Sequence, residues 1–129
     1  MQKKLLQLLV GILLCLSFNN AFAQKKTYLV SEVAIAPDFS GGSEMLQQFI
    51  ASNYEMPEDA TVFGQIEIGF TVDAKGKLSN FEIVKDLGSG TGAEALRIFA
   101  LSPKWKPGRL DDGTPVNVYF ILPIKLQSR

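Results

Sequence analysis

Ile66, Ile68, Phe70 and Val72 alternate with Gln65, Glu67, Gly69 and Thr71, and a period of two predicts a strand with one buried face. Asp73-Ala74-Lys75-Gly76-Lys77 supplies a turn in which Gly76 is free to take positive φ, and a partner strand is expected from about Leu78 to Lys85. The same alternation returns near the C-terminus, where Val116, Val118, Phe120, Leu122 and Ile124 form one face of a long strand reaching about Leu126. Pro123 lies within that run and has no N–H to give a ladder, which predicts an edge strand. Near the other end, Val33 and Ile35 alternate with small residues before Pro37, consistent with one short strand.

Two stretches carry the helical period instead. Ser43 is placed to cap a helix with Glu44 in its first turn and an apolar stripe of Met45, Leu46, Phe49 and Ile50, ending near Asn53. Pro57, Glu58 and Asp59 read as the start of a second, short helical turn. Thr91 with Glu94 three residues on makes a capping box for a helix from about Gly92 to Leu101, whose buried face is expected to hold Leu96, Phe99 and Ala100. The fold class that follows is α+β: a small antiparallel sheet of about three main strands with two helices packed on one face.

The first residues have another character. Lys3 and Lys4 precede an apolar run from Leu5 to Phe18, and Ala21-Phe22-Ala23 closes it, the layout of a secretory signal peptide at residues 1–23 cleaved before Gln24. The run is shorter than the roughly 17 to 25 residues that cross a bilayer, although an uncleaved inner-membrane anchor is the alternative. Cys15 does not follow the small residues that precede a lipid-modified cysteine. The expected organisation is a short N-terminal segment at 24–36 and a single domain at 37–129.

Composition narrows the chemistry. The whole chain of 129 residues has 13 basic and 13 acidic side chains, no histidine and one cysteine. Cleavage would remove Cys15, Lys3 and Lys4, leaving a slightly acidic chain with neither His nor Cys. Nucleic acid and anionic membrane recruit surplus Lys and Arg, so neither is the expected partner. The usual zinc ligands and the usual general base are missing, so neither a cofactor nor an enzyme activity is expected.

The remaining candidates have plainer explanations. Gly88-Ser89-Gly90-Thr91-Gly92 lacks the Lys-Ser/Thr ending of a phosphate loop. Asp111-Asp112 and Glu58-Asp59 suit turns and helix starts better than an acid/base pair across a cleft. Trp105 between Lys104 and Lys106 offers a stacking surface for a sugar, but a Trp is more often buried, here as a plug at the end of the sheet.

Taken in order, Pro37-Asp38-Phe39-Ser40-Gly41-Gly42 and Met56-Pro57, then Gly64 to Asp73, Gly76-Lys77-Leu78, Glu94-Ala95-Leu96, Pro103 to Gly108 and Gly113 to Ile124 resemble the C-terminal domain of TonB, the energy transducer of Gram-negative bacteria. The resemblance covers about Pro37 to Leu126. It implies a periplasmic module whose edge strand accepts a short peptide, the TonB box, from outer-membrane transporters. On that reading the peptide binds along the strand from Val116 to Leu126, with Val116, Asn117, Val118, Tyr119, Phe120 and Ile121 as the peptide-binding edge residues. An edge offers unpaired N–H and C=O groups to which an extended peptide adds as a further strand.

The chain departs from a full transducer in having only Gln24 to Ala36 between the leader and the domain, a reach of roughly 43 Å at about 3.3 Å per residue. Soluble binding is therefore expected rather than force transmission across the periplasm. A homodimer through the edge strand and cell-wall binding through Trp105 are the competing expectations.

Overall fold

A computed structural model describes residues 26–128. The expected leader at 1–23 lies outside the described residues. Strand β1 is Thr27–Leu29, followed by a 3-10 turn at Val30–Glu32; helix α1 is Gly42–Asn53; β2 is Phe63–Val72, β3 Leu78–Lys85, helix α2 Thr91–Ala100, β4 Gly108–Arg109 and β5 Pro115–Gln127. The sheet order is β1-β5-β2-β3, with β4 also pairing to β5. The α+β class is as the sequence indicated, and β5, β2 and β3 are its main antiparallel strands.

The sequence places the buried stripes correctly. Ile66, Ile68, Phe70 and Val72 of β2 stand opposite Ile124, Leu122, Phe120 and Val118 of β5 in unbroken register. Opposed residues of an antiparallel pair share a face, so these positions make one apolar surface. Leu46 of α1 and Ala95, Ile98 and Phe99 of α2 bury against it. Phe70 sits at the centre, fully buried, with the rings of Phe81, Phe99, Trp105 and Phe120 5.2–6.1 Å from its own. Such offset and edge-to-face contacts are the favoured aromatic geometries.

Several local expectations are corrected. The first strand is Thr27–Leu29 rather than the Val33/Ile35 alternation, and Ile35 makes only an isolated bridge to Arg109. Helix α1 starts at Gly42 without a side-chain cap, so Ser43 lies inside its first turn, and Met45 is largely exposed. Pro57–Asp59 forms a turn closed by the Ala60 N–H on the Pro57 carbonyl, not a helix. Ala100 is exposed, and Ala95 and Ile98 take its place in the buried face of α2.

The N-terminus of α2 is capped differently from the expected box. Asp86 Oδ1 accepts hydrogen bonds from Gly92 N (3.1 Å), Gly88 N (3.2 Å) and Thr91 Oγ1 (3.1 Å). Glu94 instead accepts from the Glu55 N–H and pairs with Arg97. A carboxylate therefore already fills the place where a phosphate would sit on the glycine-rich loop.

Candidate functional site

β5 is the strand to which the sequence assigns binding, and its two halves have different surroundings. The edge expectation fails for the first half. Val116 pairs with Gly108, while Asn117, Val118 and Tyr119 stand beside Thr27, Tyr28 and Leu29 of β1, which runs parallel to β5. On the opposite flank β2 pairs with β5 from Val118 to Gln127. Val118 is thus central and fully buried, and the chain's own β1 closes the flank at 117–119.

The side chains of that half are also engaged. Asn117 Oδ1 accepts the Ala74 N–H of the β2–β3 turn at 2.9 Å. The Tyr119 hydroxyl donates to the Glu82 carboxylate on β3, lying across Gly69 of the intervening β2. A side chain at position 69 would collide with that phenol, so glycine there lets one tyrosine tie three strands together. Hydrogen bonding to Glu82, then burial, push the Tyr119 phenol up to about 12.

Beyond Tyr119 the β1 pairing stops, and among the described residues Phe120–Gln127 pair only with β2. Of the six residues assigned from sequence, Phe120 and Ile121 lie on this open flank; Phe120 turns its ring into the core against Phe70 and Trp105, and Ile121 is 44% exposed on the helix-free face. The open stretch continues through Pro123 and Lys125, inside the Val116–Leu126 strand but outside the six named residues, and on to Gln127. Its one signal was Pro123.

The proline indicates which backbone groups face outward. Along a strand, successive residues direct their N–H and C=O groups to opposite flanks. The β2 register runs through Glu67↔Pro123 without a shift, as happens when the missing N–H belongs to the outward set. By the same alternation Ile121, Lys125 and Gln127 direct both backbone groups outward, and Pro123 directs only its carbonyl. Over the end of the β2–β5 pair, next to this flank, a shallow hollow of about 510 Å³ is lined by Phe63, Gly64, Gln65, Lys125, Leu126 and Gln127. Phe63 beside it is 82% exposed.

β3 forms the opposite edge of the sheet, and it is a poorer template. Its register against β2 shifts at Glu67/Ile68 and again at Gly69/Thr71, and Asn80 has φ of 54°. Such irregularities bend an edge away from regular pairing.

The other candidates dissolve into structure. Trp105 is 3% exposed, packs edge-on to Phe39, Phe70 and Phe120, and donates Nε1–H to Ser102 Oγ at 3.0 Å. A buried indole has no face for a sugar, which removes the basis for cell-wall binding through it. Asp112 Oδ1 accepts the Thr114 N–H within a turn, and this bond holds its carboxyl below the usual value. Among the described residues no three His, Cys, Asp or Glu are grouped to hold a metal ion, and no helix is long and apolar enough to cross a membrane.

The family model for the Gram-negative bacterial TonB protein C-terminal matches residues 57–126, more than half of the chain, from the turn before β2 almost to the end of β5. Among solved structures, the NMR solution structure of Helicobacter pylori TonB-CTD (residues 179–285) is similar at 23% identity and a TM-score of 0.45, covering 65% of this chain and 78% of that one. Among curated proteins no match is found.

Proposed function

We propose that this chain, which belongs to the Gram-negative bacterial TonB C-terminal family, is a non-catalytic periplasmic module that binds an extended peptide of an outer-membrane transporter by strand addition. The observation that carries the reading is the open flank of β5 from Phe120 to Gln127, unpaired on one side among the described residues. Backbone hydrogen bonds to Ile121, Lys125 and Gln127 supply affinity, and the hollow beside Phe63 takes a side chain of the guest. The site therefore lies further along β5 than the six residues assigned from sequence.

Chemical-shift mapping with synthetic peptides from the N-terminal segments of outer-membrane transporters tests this. Perturbation should concentrate on Phe120–Gln127 and on Phe63. Perturbation confined to α1 and α2 would overturn it.

The alternation of backbone groups makes a sharper test. Lys125→Pro removes an outward N–H and should weaken the peptide about 3- to 10-fold, the value of one net hydrogen bond, with the fold retained. Ile124→Pro removes an N–H that faces β2 and should unfold the domain. Calorimetric titration and thermal melts read the two effects separately.

A further inference from the structure

β1 occupies the same flank of β5 that the proposed guest would use, and the ties that hold it are few. It has only three residues, of which Thr27 and Leu29 are exposed and Tyr28 is half-buried. The Leu29 N–H is turned to Glu32 Oε1 at 2.8 Å rather than to β5. By strand alternation this leaves Tyr28 as the one residue of β1 whose backbone faces β5, between the outward groups of Asn117 and Tyr119.

The remaining ties are at the surface. Lys26 Nζ lies 3.7 Å from Glu32 Oε2 and 4.4 Å from the centre of the Tyr28 ring. Exposed ion pairs of this kind contribute little. No residue of the following 3-10 turn is buried. By contrast, β2 pairs with β5 over ten successive positions, four of them fully buried in β2.

We propose that β1 is a displaceable strand that keeps the Asn117–Tyr119 part of the β5 flank closed and competes with a guest peptide for it. The proposal rests on the strand-addition reading above. A guest growing from Gln127 towards Asn117 reaches the end of β1 at Tyr119, and exchanging one strand for the other replaces the Tyr28 backbone bonds with equivalent ones. Because the exchange is nearly balanced, the side chains of the guest decide whether β1 leaves. Affinity is then reduced by the fraction of molecules in which the flank is clear.

The test compares the native chain with Tyr28→Pro, which removes the N–H facing β5, and with Leu29→Gly, which weakens the side-chain pairing with Tyr119. The probe is a synthetic transporter N-terminal peptide long enough to span Asn117 to Gln127, titrated calorimetrically and followed by amide hydrogen exchange. Both variants should bind about tenfold more tightly than the native chain, and in the free variants the Tyr119 amide should lose protection while Ile66 to Val72 keep theirs. In the native complex, peptide binding should release β1, seen as faster exchange at Tyr28.

Equal affinity in all three chains, or a native complex in which Tyr28 stays protected, would overturn the displacement proposal and leave strand addition standing. Absence of binding to native and variant chains alike would overturn both.

Discussion

Gly76 shows what a single position is asked to do. Its φ of 86° serves the β2–β3 turn, and its missing side chain lets the Trp105 backbone approach, with the Trp105 N–H on the Gly76 carbonyl at 2.8 Å. The first requirement is legible in Asp73 to Lys77, because a hairpin turn calls for positive φ; the second is not, because Trp105 is distant in sequence. Gly76→Ala should therefore cost about 2–5 kcal/mol, the sum of left-handed strain and overpacking, read by urea unfolding. Phe70→Ala should cost about 3–5 kcal/mol, a large part of the stability of so small a domain. Tyr119 and Tyr54 supply a pH signature. Tyr54 donates to the Thr91 carbonyl at 2.9 Å, and burial, then the charges of Glu94 and Asp86, push its phenol up to about 12. Both phenols thus ionise above their ordinary value of 10.0 in the folded chain. Their stabilisation is complete below about 10 and is lost as pH rises towards 12. An absorbance titration of the phenolates, with and without Tyr119→Phe, checks this.

At the scale of elements, helix and strand positions were legible wherever an apolar period ran for several turns or pleats. The β2–β3 hairpin, both helices and β5 fall where the pattern puts them. Capping was less legible, because Asp86 reaches α2 from before the glycine-rich loop, whereas the Thr91/Glu94 spacing suggests a local box. Burial works against the Asp86 carboxylate, but hydrogen bonds from Gly88, Thr91 and Gly92 bring it net below its ordinary value of 3.8. Its contribution is present above that value and lost as pH falls through the lower folded one. Asp86→Ala should cost about 1–2 kcal/mol, and the loss should shrink in acid, which thermal melts at two pH values would show. β1 was misplaced for a different reason: a three-residue strand has too little alternation to announce itself, and its pairing with β5 is set by contacts far along the chain.

For the whole molecule, strand order was the least legible property. Among the described residues Pro123 lies on a flank of β5 that has no strand partner, and β5 is an edge only from Phe120 onward, because β1 returns to cover Asn117–Tyr119. The sheet therefore exposes two different borders, a regular one on β5 and an irregular one on β3. Val84→Lys on the β3 border should leave peptide binding unchanged within about twofold, since surface substitutions away from a site shift energies by only a few tenths of a kcal/mol. The same titration that detects loss in Lys125→Pro would show it.

Pro123 also bears on alignment. A guest strand laid along this border meets one rung that receives a hydrogen bond but returns none, so sliding by two residues would bring a different carbonyl of the guest to that silent rung. A guest whose carbonyl at the matching place is a poor acceptor, as in an ester, loses nothing there, whereas a proline of its own at that place forfeits the bond to the Pro123 carbonyl. The border thus contains a fixed notch from which the position of any visitor can be counted.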